Sequence, residues 1–154
     1  MTTLLWKEHP DDHDYPAATS FLSLILDEST VTRLVEALKS APVTHYLAKD
    51  ILRSSRLPVL SPDNPSVASD LKKIKKGRPL SPVLLVRGDL SRNVAAQIAD
   101  GYHRVCASYL VDEDAPVPCR IVPRDLVDPT STQTRRRPDA RPLRPGSSRA
   151  ATGL

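Results

Sequence analysis

Aromatic side chains are scarce in this chain: one Trp, one Phe and four Tyr, 4% of 154 residues. That scarcity excludes a core built around stacked rings, so burial must rest on Leu, Val, Ile and Ala. Cysteine is also rare, with only Cys106 and Cys119. Two such residues without a Cys-x-x-Cys spacing make neither a disulfide framework nor a cysteine zinc site. Both are expected as buried apolar residues. No apolar run approaches the roughly 18–20 residues that a membrane-spanning helix needs. The apolar segment Phe21 to Leu26 is short, and acidic rather than basic residues precede it, unlike a secretory signal. A soluble, cytoplasmic protein with no membrane partner is expected.

What is present points to one domain of ordinary size with a real core. The net charge of +4 is unevenly placed. Residues 128–154 hold six Arg and two Asp, which accounts for all of it; the 16 basic and 16 acidic side chains of residues 1–127 cancel. From residue 128 onward Thr, Ser, Arg, Pro and Gly dominate, so a disordered basic tail is expected. Arg135, Arg136 and Arg137 suit contact with nucleic-acid phosphates without sequence preference. A merely solvated tail is the other reading.

Residues 1–16 read as a flexible polar arm, with Asp11, Asp12 and Asp14 beside His9 and His13. A metal site is one reading of that cluster and a solvated arm the other. Residues 17–127 form the expected domain. Ala17 to Ser40 reads as helix, broken near Asp27, where Asp27, Ser29 or Thr30 can cap a second segment. Val31, Leu34, Val35 and Leu38 then form one apolar stripe. Val43 to Leu52 reads as a strand running into a turn, followed by an irregular loop to Pro62. Asn64-Pro65 opens a helix buried through Val67, Leu71 and Ile74, and Gly77 closes it. Lys72, Lys73, Lys75 and Lys76 lie late in that helix, a placement the helix dipole favours by itself. Val83 to Val86 is a short strand covered on both faces, and Val94 to Ala99 is its partner. Val117, Cys119 and Ile121 alternate with Pro118, Arg120 and Val122 in a last strand, which by Pro116 and Pro118 starts at, or lies on, an edge. These elements predict an α/β (α+β) fold, a small mixed sheet with packed helices.

The segment Gln97 to Val122 organises the rest. Ile98 and Ala99 end a buried strand, Asp100-Gly101 makes a sharp turn, and Tyr102, His103 and Arg104 open a helix. A helix N-terminus offers free N–H groups and partial positive charge to an anion. An imidazole and a guanidinium stand beside those amides, which predicts a phosphate cradle at Gly101, Tyr102, His103 and Arg104. Arg104 is the strongest single candidate, because guanidinium grips phosphate bidentately and stays charged. Asp100 is a candidate base or Mg²⁺ ligand, and its other role is the turn itself.

The run Ile98-Ala99-Asp100-Gly101-Tyr102-His103-Arg104 followed by Ala107 resembles the signature of the ParB/sulfiredoxin superfamily. The likeness extends upstream through Ser69 to Val86 and covers roughly Tyr46 to Val122. It implies a sulfiredoxin-like fold and a bound nucleotide whose phosphates meet the His-Arg pair. It also implies that Ser69, on the preceding helix, faces that nucleotide. Lys73 joins it as a candidate, although Ser66 and Lys73 stand where other residues are usual in the family. Sulfiredoxin chemistry needs a nucleophilic Cys just before the His-Arg pair. Tyr102 occupies that place, and a phenol cannot substitute for a reactive thiolate. A full chromosome-partition ParB also carries a helix-turn-helix after this module, which nothing here supplies.

Three readings follow. The first is a stand-alone ParB-like domain that binds a nucleoside triphosphate with Mg²⁺, or a similar phosphorylated ligand. Phosphohydrolase or phosphotransfer activity would use His103 or Asp100 as catalytic groups. The second is a DNA-associated accessory protein, partition-like or nuclease-like, using the Lys-rich helix and Arg tail. The third is a non-catalytic interaction module.

Overall fold

The computed structural model describes residues 3–127, and the tail expected from residue 128 lies outside them. Five helices and four strands are present: α1 (Asp14–Leu22), α2 (Glu28–Ser40), β1 (Val43–Leu47), α3 (Ala48–Ser55), α4 (Pro65–Lys75), β2 (Val83–Val86), β3 (Gln97–Asp100), α5 (Tyr102–Val111) and β4 (Pro116–Val122). The expected mixed α/β class is correct. The strands form one sheet in the order β1-β4-β2-β3. β4 runs parallel to β2 and antiparallel to β1, and β2 is antiparallel to β3.

Side-chain alternation along β2 divides the interior in two. Val83 and Leu85 enter a core with Ile51, Val67, Ile74 and Val105 from α3, α4 and α5. Leu84 and Val86 point the other way, to Ala18, Leu22, Leu34 and Leu38 of α1 and α2. The sheet is thus covered on both faces, which is why β2 is continuously apolar. Cys106 and Cys119 are both buried and unpaired, as expected.

The helix ends follow their local chemistry. Asp27 accepts a 2.8 Å hydrogen bond from the Thr30 amide and caps α2. Asn64 accepts from the amides of Ser66 and Val67, with Pro65 in the first turn of α4. Gly77 leaves that helix with φ of +73°.

Three expectations need correction. Residues 48–52, read as strand and turn, belong to α3. Ala48, Ile51, Leu52 and Ser55 are its buried positions, a helical i, i+3, i+4, i+7 set. β4 does not lie on an edge: it is an interior strand, and of the two placements its prolines allowed only the start at an edge holds. Pro116 and Pro118 pair with Leu47 and His45 of β1, whereas the β2 ladder begins only at Cys119. The missing amides therefore fall where β4 has one neighbour. Within the described residues the supposed arm is docked. Lys7 N donates to the Leu80 carbonyl at 2.8 Å, and Leu80 N donates to the Leu5 carbonyl at 2.9 Å. α1 starts at Asp14, whose side chain is buried.

Candidate functional site

β3 ends at Asp100, and α5 begins two residues later, at Tyr102. Between them Gly101 has φ of +112°, and a Cβ there would lie 2.5 Å from Val83 Cγ1 and 2.9 Å from Arg104 Nη2. Both the backbone angle and the space require glycine. No side chain caps α5. The first-turn amides of Tyr102, His103 and Arg104 have no acceptor within their own helix.

A cavity of about 440 Å³ lies between α4, the start of α5 and the N-terminal segment. Ser69 and Lys73 line it from α4, and Gly101, His103 and Arg104 line it from the turn. Asp100 lines it too, so six of the seven residues singled out in the sequence share one space. Pro65 and Ser66, in the first turn of α4, are also on its wall. α4 thus presents one side along its length, with its first-turn amides already held by Asn64, while the uncapped N-terminus of α5 opens on the cavity, where its dipole favours negative charge.

Tyr102 is the one that is not brought in. Its hydroxyl donates to the Pro58 carbonyl at 2.7 Å. Its ring lines a separate cleft of about 520 Å³, with Phe21, Ile25 and Leu57. His103 stands on the ridge between the two and lines both.

Arg104 lines the cavity but is not a free cation. Its side chain is only 12% exposed. Nη2 donates to Asp100 at 2.7 Å. Nη1 donates to Asp14 at 3.2 Å and to the Ser81 carbonyl at 3.0 Å, and also meets the Ser81 hydroxyl. The guanidinium is compensated twice over before any ligand arrives. Local sequence showed the arginine and one carboxylate, Asp100, a helical turn before it. It did not show that Asp14, from a segment read as solvated, completes the pair.

The two carboxylates diverge in acidity. Burial pushes Asp14 upward, but Arg104, the Ser81 hydroxyl and the Asp11 amide outweigh it and hold the group below its ordinary value. Burial raises Asp100 to about 6, and the adjacent Asp14 adds to the rise against the pull of Arg104. Two acids sharing one guanidinium do not ionise equally.

Asp70 was missed in the sequence. It lines the same cavity, 3.9 Å from the Lys73 ammonium. Burial raises its carboxyl, while Lys73, Arg104 and His103 oppose the rise. Its signal was available: Ser66 and Asp70, like Ser69 and Lys73, are four apart on one helical stripe.

Asp11, His13 and Asp14 bring possible ligand atoms within 4.8 Å of one another on the cavity wall. Lys7 already binds Asp11 at 2.8 Å, and Arg104 already binds Asp14. With a cation on each carboxylate, the group works as an ion-pair network. Lys7, Lys73 and Arg104 line the cavity together with Asp11, Asp14, Asp70 and Asp100. Each of the three cations has a carboxylate within 4.0 Å. Lys72, Lys75, Lys76 and Arg78 are exposed and lie outside this lining.

No family model, no curated protein and no solved structure matches this chain. Among the described residues, no helix is long and apolar enough to cross a membrane. The fold and site define a two-faced α/β domain with a polar, charge-compensated cavity between the side of α4 and the start of α5.

Proposed function

We propose that the domain binds a phosphorylated ligand of nucleotide type in this cavity, through the first-turn amides of α5 with His103, Ser69 and Lys73 around them. The observation that supports this most is that the uncapped start of α5 opens on one space that also holds those side chains. Backbone amides at a helix start suit phosphate oxygens, and the dipoles add to the attraction. The carboxylates across the cavity disfavour a bare polyanion, so the nucleotide is expected as its Mg²⁺ complex, with part of its charge already offset. Hydrolysis or transfer of a phosphoryl group would extend this reading, with His103 stabilising charge as it develops. The ParB/sulfiredoxin resemblance points the same way.

A thermal-melting panel with ATP, CTP and GTP, each with and without Mg²⁺, tests the proposal. A ligand at a hundredfold excess over its dissociation constant stabilises by about 2.7 kcal/mol. A shift from at least one nucleotide, lost on His103→Ala together with Lys73→Ala, supports it. No shift from any of them overturns it.

The second reading, a DNA-associated protein, rests on the exposed Lys72, Lys75, Lys76 and Arg78 at the end of α4. It predicts salt-dependent, sequence-independent duplex binding that charge reversal of those residues abolishes. A domain that responds to neither nucleotide nor DNA would be left as an interaction module.

A further inference from the structure

The cleft that holds the Tyr102 ring, about 520 Å³ in volume, follows the edge of β3. β3 ends the sheet, with β2 on one side and, among the described residues, no strand on the other. Both of its faces are covered. Ala99 shares a core with Ala18 and Leu22 of α1, and Ile98 shares the other with Ile51 and Leu52 of α3. The cleft takes its lining from both layers: Ala17 and Phe21 from α1, Ser55 from α3, and Ile25 and Leu57 just beyond them. It is therefore a slot that continues the plane of the sheet, and the run Gln97 to Gly101 is its floor. Ala99 has no residue opposite it in β2. It is the extra position of a bulge, which a ladder leaves unpaired.

Two observations indicate what enters. Phe21, Ile25 and Leu57 are large apolar side chains that stay 37%, 52% and 36% exposed, and all three are on this slot. A patch of that kind marks a binding surface. The slot also shares its lining with the polar cavity, because Asp100, Gly101 and His103 belong to both. One ligand lying across that ridge would have a charged end at the start of α5 and an apolar end in the slot.

We infer that the base of the bound nucleotide lies in this slot, edge-on to β3, with its ring between the apolar lips and its polar rim toward the strand. This rests on the nucleotide reading above and adds where the base goes. A nucleobase meets both demands of the slot. Its faces stack on rings and apolar groups, and its rim carries donors and acceptors that match the unpaired N–H and C=O groups of a strand edge. Tyr102 supplies a ring already fixed, since its hydroxyl donates to the Pro58 carbonyl at 2.7 Å. Little side-chain freedom is then lost when a base packs on it. His103 stands between base and phosphates, its ring 5.8 Å from that of Tyr102. An aliphatic tail would leave the strand edge without partners, and a bare phosphate chain would leave the apolar lips uncovered.

The experiment is isothermal titration of MgATP, MgCTP, MgGTP and magnesium tripolyphosphate into the wild type and into the double variant Ile25→Ser with Leu57→Ser. Sedimentation of each protein is measured alongside. Tripolyphosphate keeps the charged end of the ligand and lacks the base. In the wild type at least one nucleotide is expected to bind about tenfold more tightly than tripolyphosphate, or better. The double variant is expected to lose about tenfold in affinity for that nucleotide and to bind tripolyphosphate as before. Ile25→Trp, which fills the slot, should act in the same way and serves if the double variant does not fold; the wild-type comparison needs no variant. Nucleotide binding that neither variant weakens, or that tripolyphosphate equals, overturns the base slot and leaves the phosphate site standing. A wild-type dimer that the variants dissociate shows the slot covered by a second copy, and overturns it too. Binding of none of the three nucleotides overturns both readings.

Discussion

The Ser81 hydroxyl donates a 2.8 Å hydrogen bond to the carboxylate of Asp14, 67 residues away in the chain. Both residues are buried. Their contact fastens the first turn of α1 beneath the start of β2, and Arg104 bonds to both partners. The wall of the candidate site is therefore also a joint between the N-terminal helix and the core.

Removing Asp14 should loosen that joint. Asp14→Ala strips a charged acceptor from Ser81, Arg104 and the Asp11 amide, and loss of one partner from a buried network costs about 3 kcal/mol. A chemical-denaturation midpoint should fall at unchanged slope. The pH dependence has a definite sign. A carboxyl held below its ordinary value contributes stability above the unfolded pKa and loses it as pH falls through the folded one. The wild type should therefore lose more stability than Asp14→Ala on acidification below about pH 4. Equal acid sensitivity in the two proteins would contradict the assignment.

Asp100 should behave in the opposite sense. Its folded value is raised to about 6, so protons bind more tightly in the folded state. Stability is full below the unfolded value and declines as pH rises through the folded one. Asp100→Asn removes that decline. At about pH 8 the variant should be more stable than the wild type, by on the order of 1–2 kcal/mol after allowing for partial solvent screening. Below about pH 4 the difference should vanish. Melting curves of both proteins across this range provide the check.

Gly101→Ala should damage the fold as well as the site. The added methyl would meet Val83 side-chain atoms at 2.5 and 2.8 Å, at a backbone angle that alanine rarely adopts. The combined strain and overlap should cost at least about 2 kcal/mol. A melting temperature within a degree or so of the wild type would refute this reading of the turn.

Arg104 and His103 should separate in a mutant series. Arg104→Ala leaves Asp14 and Asp100 in a buried site without their common counter-charge. It should destabilise the domain by about 3 kcal/mol even without ligand. His103→Ala and Lys73→Ala remove groups that hold no buried carboxylate pair; the Lys73 side chain is 49% exposed. Each should change unliganded stability by under about 1 kcal/mol and weaken the nucleotide-induced shift. Denaturation with and without MgATP, MgCTP or MgGTP distinguishes the two outcomes.

Much of the architecture was legible where local chemistry was decisive. The Asn64-Pro65 start, the Gly77 exit, the unbroken apolar run of β2 and the Gly101 turn each state their conformation within a few residues. α3 was not legible as helix, because Val43 to Ala48 alternates well enough to extend a strand reading past its end. β4 was left between two placements because its prolines are edge signals only where a second neighbour would need their amides. That depends on where β2 begins along it.

The sequence alone determined that a strand, a glycine bend and a helix start would present free amides beside His103, since these follow from neighbouring residues and backbone sterics. It also determined that the α4 stripe carrying Ser69 and Lys73 could face one direction. Only the tertiary structure decided what Arg104 does. Its partner Asp14 comes from 90 residues away, and no periodicity or capping rule acts over that distance. Burial then set the acidity of Asp14 and Asp100 apart, a difference that residue identity cannot carry because it arises from solvent exclusion and the nearest charge.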